Sequence, residues 1–134
     1  MGWEEITATA WIKPSSYGSF DKSCILIGGI YLTLDRSGVL SGYCYGKNPV
    51  GYHNGKTVLP LNQWSHVAIV WSKTHIIGYV NGNIDFEIAC IGSTDDSHHS
   101  NKDIGAENSN TNRTFNGLLD DVRLYSSALS QLEI

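Results

Sequence analysis

Phe115-Asn116-Gly117-Leu118-Leu119-Asp120-Asp121-Val122-Arg123-Leu124-Tyr125, continuing through Ser126 to Ile134, is the stretch whose reading decides the fold. Asn116-Gly117 punctuates a turn, and Gly117 to Tyr125 reads as a strand. Ser126 or Ser127 can cap a helical turn over Ala128-Leu129-Ser130-Gln131, with Leu129 and Leu132 pointing back to the sheet.

Upstream, period-two patterns recur between turn signals. Ile6, Ala8, Ala10 and Ile12 alternate with Thr7, Thr9, Trp11 and Lys13 until Pro14 stops the run. Cys24 to Ile27 is a short apolar run. Ile30 to Asp35 and Val39 to Tyr45 flank Arg36-Ser37-Gly38, a hairpin loop. Lys47 to Lys56 reads as a loop or weak strand. Trp64 to Trp71 is the clearest strand, and His75 to Val80 returns antiparallel to it. Asn81-Gly82 then favours a positive-φ hairpin turn into Ile84 to Cys90. From Gly92 to Arg113 the chain is polar, interrupted by a short strand candidate within Lys102 to Ala106. Strands at roughly eight- to twelve-residue spacing, without alternating helices, define an all-β sandwich or barrel. Residues 1–134 are expected to form a single domain.

Composition narrows the function classes. Hydrophobic residues make up 41% and charged residues 16%, which suits a packed core rather than disorder. The net charge is -4 and the nine Lys and Arg are scattered, so no basic stripe is present to neutralise phosphates and no nucleic-acid partner is expected. No stretch approaches the ~20 apolar residues of a membrane helix, so membrane insertion is not expected. Met1 to Glu5 is acidic and reads as no secretory signal, and Ile6 breaks the myristoylation pattern. Cys24, Cys44 and Cys90 are an odd, widely spaced set. They read as small buried hydrophobes, with one disulfide among them as the alternative.

Four segments in order carry a family resemblance. They are Ala10-Trp11-Ile12-Lys13-Pro14, Trp64-Ser65-His66-Val67-Ala68, Tyr79-Val80-Asn81-Gly82, and Phe115 to Tyr125 with Ala128-Leu129-Ser130 and Glu133-Ile134. Together they resemble the laminin-G-like branch of the concanavalin A-like jelly rolls. The resemblance implies an antiparallel jelly-roll β-sandwich of the lectin/glucanase type. Most members of this branch bind rather than catalyse, which implies a non-catalytic, lectin-like carbohydrate-recognition module with an oligosaccharide or glycoconjugate partner. Family members usually carry a strand or two before the Trp-x-Lys-Pro element, whereas only Met1 to Glu5 precedes it here. An incomplete sheet edge attracts partners, so a homodimer through that edge is expected. The alternative function is a structural or assembly module of a larger surface or virion protein.

Trp11 and Trp64 read as core fillers, and His66 as a hydrogen-bonded structural histidine. Asp121 and Arg123, two apart on a strand, read as an ion pair. Asp120 alternates with Leu118, Val122 and Leu124, and a carboxylate on an apolar face needs a partner. The closing strand Asp-x-Val-Arg-x-Tyr of the sixteenth family of glycoside hydrolases is similar, and its Asp binds a structural calcium. That likeness implies calcium as a cofactor, with Asp120 as the metal ligand. Asp95 and Asp96 are a second calcium candidate.

The same hydrolases need paired glutamates as Glu-x-Asp-x-x-Glu, and no such spacing occurs here. Adjacent Glu4 and Glu5 point to opposite faces, and Asp85-Phe86-Glu87 lacks a third acid. Neither a Gly-x-Ser-x-Gly elbow nor a phosphate-binding Gly loop is present, and adjacent His98-His99 suit a single ion poorly. The chain reads as a binder, not an enzyme. Sugar recognition stacks rings on pyranose faces and fixes hydroxyls with polar side chains. Tyr17, Phe20, Tyr43, Tyr45 and Tyr52 supply rings, and Asn101 to Asn112 supplies amides. The candidate ligand-binding residues are therefore Tyr43, Tyr45, Asn101, Asn108 and Asn110. Tyr43 and Tyr45 share one strand face, where they either form an exposed platform or line the sandwich with their hydroxyls at its edge.

Overall fold

A computed structural model describes residues 3–18, 21–94, 102–107 and 113–134. Ten strands are present among them: β1 (Ile6–Pro14), β2 (Lys22–Ile27), β3 (Ile30–Asp35), β4 (Val39–Cys44), β5 (His53–Val58), β6 (Ser65–Trp71), β7 (His75–Val80), β8 (Asn83–Ala89), β9 (Asp103–Ile104) and β10 (Gly117–Tyr125). They form two five-stranded sheets, ordered β10-β1-β6-β7-β8 and β5-β4-β3-β2-β9. Every strand pair within the sheets is antiparallel. The turn signals behave as the sequence dictates: Asn81 (φ 50) and Gly82 (φ 79) both take positive φ between β7 and β8.

Alternation decides what lies between the sheets. Ile6, Ala8, Ala10 and Ile12 of β1 meet Val67, Ile69 and Trp71 of β6 on the inner face of the first sheet. Ile25, Ile30, Leu32, Leu34 and Leu40 supply the second sheet's half of the same core. Each fully buried side chain of this kind contributes about 1.5–3 kcal/mol of transfer free energy. The cores of the two sheets approach closely over Gly42, opposite Leu32 on β3. A Cβ there would stand 2.4 Å from Ile69 Cδ1 and 3.4 Å from the Trp71 ring. Cys24, Cys44 and Cys90 are all buried, as their reading as small hydrophobes requires.

The rims are closed by polar side chains. Asp85 on β8 accepts hydrogen bonds from Lys56 N (3.1 Å), Thr57 N (2.9 Å) and Thr57 Oγ1 (2.6 Å), stapling the edge of one sheet to β5 of the other. The buried Lys47 donates to the carbonyls of Ser72 and Gly92, both at 2.6 Å, and of Glu4 at 3.4 Å. One ammonium group therefore ties three loops together.

Three readings of the sequence meet the structure here. First, β1 is an interior strand flanked by β10 and β6, and among the described residues the edges of this sheet are β10 and β8. Second, the pairing of β1 with β10 slips between Thr9↔Arg123 and Trp11↔Asp120. Asp121 takes up the extra residue at φ 50, forming a β-bulge. The bulge shifts the phase of the strand: Leu119, Val122 and Leu124 pack on the core, and Asp120 is exposed instead of sharing an apolar face with Val122 and Leu124. Third, no helix follows Ser126 among the described residues. Thr7 Oγ1 donates to Ser127 O (2.7 Å) and accepts from Leu129 N (3.0 Å), which holds the tail across the outer face of the first sheet. Ala128 and Ile134 cover Ala68, Val70 and Tyr79 there, while Leu132 is fully exposed rather than turned to the sheet. The capping serine is Ser130, whose N–H and hydroxyl both donate to Glu133 Oε2 (2.8 and 3.0 Å).

If the Gly42 contact sets the sheet spacing, Gly42→Ala should cost roughly 1–3 kcal/mol by overpacking. Ile69→Val removes the Cδ1 methyl that meets the new Cβ, so the double variant should be clearly more stable than the two single losses predict. Urea denaturation of all four proteins measures this coupling, and simple additivity would show that the contact is slack.

Candidate functional site

The outer face of the second sheet carries the most distinctive cluster. Tyr31 and Tyr43 are register partners on β3 and β4, with ring centroids 5.7 Å apart at 87°. Tyr45, just past β4, stands 4.9 Å from Tyr43 at 75°. Tyr52, before β5, lies 5.2 Å from Tyr43 and 6.1 Å from Tyr31. These edge-to-face and tilted arrangements suit the ring quadrupoles and lock each ring against its neighbours. Cys24 and Ile27 form the buried floor.

Charged pairs stand at the margins. Arg113 reaches Glu107 at 3.3 Å and Asp21 at 3.5 Å. Lys22 Nζ lies 4.9 Å from the Tyr52 centroid and 2.7 Å from Asp35 Oδ2. The four tyrosines, Glu107 and Arg113 enclose a cleft of about 310 Å³.

Burial raises the pKa of Tyr31 well above that of an ordinary phenol, with its hydrogen bond to Tyr45 adding to the effect. Burial likewise raises Tyr43 and pushes Tyr52 up to about 12. The Cys24 thiol is pushed up to about 12, by burial first and then by the charge of Glu107. These three phenols thus stay neutral near pH 7, able both to donate and to accept hydrogen bonds, and the thiol is no nucleophile. Ring faces, neutral hydroxyls and one carboxylate–guanidinium pair can hold a polyol.

Tyr43 and Tyr45 are therefore brought together, half-buried, as part of a four-ring group. Asn101, Asn108 and Asn110 lie outside the described residues, as do Phe20, Asp95, Asp96, His98 and His99. Glu107 and Arg113, which bracket 108–112 in the chain, both line the tyrosine cleft. Tyr17 belongs elsewhere, packed against the core with its hydroxyl donating to Leu59 O. Sequence reasoning missed Tyr31, Glu107 and Arg113. The first could have been found by counting outward from Ser37 at the hairpin centre, since Tyr31 and Tyr43 are equidistant from it. The other two are placed only by the tertiary fold.

The opposite face holds a second cleft, of about 460 Å³, whose lining includes Trp11, His66, Asp121, Arg123 and Tyr125. Trp11 and Trp64 are 40% and 43% exposed, so neither fills the core as expected. The inner positions of β1 are taken by its alternating Ile and Ala residues, and the tryptophan that fills the core is Trp71, at 0% exposure. The His66 ring meets Trp11 at 5.1 Å, and burial lowers its pKa against the raising effect of Asp121. Arg123 Nε donates to Asp121 Oδ1 at 2.7 Å, the ion pair read from the sequence. Asp120 Oδ1 accepts the Asp121 N–H at 2.8 Å, and no group of three or more His, Cys, Asp or Glu capable of holding a metal occurs among the described residues.

This architecture is found among known proteins. Residues 3–134 match the Laminin_G_3 family model, and the chain belongs to that family of the concanavalin A-like lectin/glucanases superfamily. No curated protein matches it. Among solved structures it is similar to a candidate carbohydrate-binding protein from Bacteroides ovatus, at 20% identity and TM-score 0.83, covering 99% of this chain and 40% of that one. The chain thus spans well under half of that relative. It is also similar to the CBM40 of a Ruminococcus gnavus sialidase bound to α2,3 sialyllactose, at 14% identity and TM-score 0.80, covering 98% and 81%. A third likeness is to domain 4 of an extracellular arabinanase from Geobacillus stearothermophilus in complex with arabinotriose, at 18% identity and TM-score 0.72, covering 99% and 66%. At these identities the likeness speaks for the fold.

At the cleft margin, burial opposes the ionisation of Asp35, but the Lys22 ammonium and the Ser37 hydroxyl and N–H together hold its pKa at about 2. An unfolded Asp titrates near 3.9, so the folded state favours the charged form. This stabilisation, of order 2 kcal/mol, is present above about pH 4 and lost as the pH falls toward 2. Asp35→Asn should lower stability at pH 7 and flatten the decline between about pH 4 and 2, measured by urea denaturation across pH.

Proposed function

We propose that this chain is a non-catalytic carbohydrate-binding module that holds an oligosaccharide at the tyrosine cleft. The observation that carries this reading is the group of four interlocked tyrosines on an outer sheet face, flanked by the Glu107–Arg113 pair. Tyr hydroxyls and the ion pair offer donors and acceptors to sugar hydroxyls, and ring faces offer apolar surface to sugar C–H groups. Family membership supports it, as do neighbours whose bound ligands are sialyllactose and arabinotriose. Glu107, the one carboxylate among the described lining residues, is engaged with Arg113, which leaves no pair of carboxylates for retaining cleavage. Asn108 and Asn110, carried between Glu107 and Arg113 in the chain, belong to the proposed site, as does Asn101.

A second reading is an assembly module. Exposed Leu118 on the β10 edge and exposed Trp11 on the neighbouring β1, with exposed Trp64 just before β6, favour it. The partner would be a second copy paired along β10. Calcium at Asp120 is a separate proposal, supported by the resemblance of the closing strand and by the exposure of its carboxylate.

Glycan-array screening followed by titration calorimetry tests the main reading. A single shallow site should bind in the millimolar to high-micromolar range, roughly -4 to -6 kcal/mol. Tyr43→Ala should abolish measurable binding while leaving the melting curve cooperative. A blank array together with a stable dimer by light scattering would favour assembly instead.

For calcium, millimolar ion should raise the melting temperature by mass action, and Asp120→Ala should remove the rise while Asp121→Ala keeps it. Identical curves in calcium and chelator would eliminate the site.

A further inference from the structure

We infer that the cleft on the outer face of the first sheet is a second saccharide site, on the opposite side of the sandwich from the tyrosine cleft and independent of it. Its floor follows from register. Trp11 and His66 are direct partners on β1 and β6, and Arg123 of β10 stands opposite Thr9. The Ile and Ala residues of β1 take the inner positions, which leaves Thr9 and Trp11 pointing outward beside His66. The tail anchored on Thr7 supplies a wall, where Leu129 and Glu133 border the same space. The enclosed volume is about 460 Å³, against about 310 Å³ for the tyrosine cleft.

A lone exposed tryptophan would carry little, since single apolar side chains are ordinary on protein surfaces. Here the indole stands among polar groups with bonding capacity to spare. Trp11 is 40% exposed, and its ring contact with His66, at 5.1 Å and 64°, fixes its orientation. The His66 ring is half-buried, yet neither of its nitrogens makes a hydrogen bond among the described residues. Burial lowers its pKa, so near pH 7 the ring is neutral and offers one donor and one acceptor. Asn81 Oδ1 accepts the His66 backbone N–H at 2.9 Å, which leaves its amide NH2 to donate. Arg123 Nε holds Asp121 Oδ1 at 2.7 Å, which leaves Asp121 Oδ2 as an acceptor and Arg123 Nη2 as a donor. The bulge that sets Asp121 at φ 50 lies at this cleft, the kind of place where a bulge re-aims a side chain. A sugar unit presents the complementary set, a C–H face for the indole and hydroxyls for the imidazole, carboxylate, guanidinium and amide. Sites on opposite faces let one module bridge two glycan chains, which raises avidity in an array without new contacts.

With one indole in place of a ring group, this site should be the weaker of the two, with a Kd on the order of 10 mM, below what calorimetry registers. NMR reads it instead. Lactose, cellotetraose and arabinotriose are each titrated into the Tyr43→Ala protein, which lacks the tyrosine site, while the Trp11 indole N–H and His66 ring resonances are followed. The expected result is a saturable shift of both with at least one sugar, equal to that in the unaltered protein. Trp11→Ala should abolish the His66 shift with the melting curve unchanged, and Trp11→Phe, which keeps a ring, should restore part of it. A His66 shift that persists in Trp11→Ala would overturn the assignment of the indole as the sugar platform. No saturable shift with any of the three sugars would overturn the second site, and binding seen by calorimetry and lost in Tyr43→Ala would still leave the tyrosine reading standing. Shifts at Trp11 and His66 without any calorimetric binding would support this site and remove the other. A dimer that Trp11→Ala turns into a monomer would assign the face to a second copy of the chain and overturn the saccharide site.

Discussion

The close approach of the two sheets over Gly42 is the constraint on which the rest of the structure depends. Ile69 Cδ1 and the Trp71 ring occupy the space where a side chain would otherwise stand on β4. Interiors are packed as tightly as organic crystals, so this gap is filled rather than bridged. The missing side chain on β4 lets two large residues of β6 reach the facing sheet. With Ile69 and Trp71 committed inward, the alternation of β6 sends His66, Ala68 and Val70 outward, and the same logic on β1 sends Trp11 outward. Neighbouring strands then inherit their faces through the pairing register.

The two outer faces that result are treated differently. On the first sheet the C-terminal tail crosses Ala68, Val70 and Tyr79, anchored by both hydrogen bonds of Thr7 Oγ1. On the second sheet the tyrosine group remains as the floor and walls of a cleft. Tyr31 is buried, and Tyr43, Tyr45 and Tyr52 are half-buried against it, which holds the rings rigid. Rigid rings with neutral hydroxyls present apolar faces and hydrogen-bonding groups side by side, and the ion pairs of Arg113 and Lys22 stand at their margins. The same features that stabilise the sheet face, edge-to-face rings and paired charges, therefore define what it can hold.

The β-bulge at Asp121 shows how one residue redistributes chemistry. Without it, Asp120 would share a face with Val122 and Leu124, and a buried carboxylate would demand a cation. With it, the apolar residues Leu119, Val122 and Leu124 reach the core on both sides of the slip, while Asp120, Asp121 and Arg123 are left to solvent. The strain of a non-glycine residue at φ 50 is eased by choice of residue, since Asp tolerates the left-handed region better than most side chains. Its carboxylate also holds Arg123.

Much of the fold is legible from period and punctuation alone. The alternation of β1, the hairpin around Ser37, the Asn81-Gly82 turn and the span of β10 all follow from local rules, because side-chain period and turn chemistry act within a few residues. The pairing of Tyr31 with Tyr43 was equally local, and it was available from the hairpin centre. Other features lay beyond the sequence. Trp11 and Trp64 look like core residues by type, yet a face is assigned by the whole strand and not by the size of one ring. The phase slip at Asp121 depends on the fit of β10 to β1. The approach of Glu107, Arg113 and Asp21 to the tyrosines joins segments remote in the chain. The sequence by itself determined an antiparallel β-sandwich and put Tyr43 and Tyr45 on one side of a strand. Which face they share, and which charges cancel there, was decided by the tertiary structure, because long-range packing alone sets the register and brings distant charges within Coulombic reach.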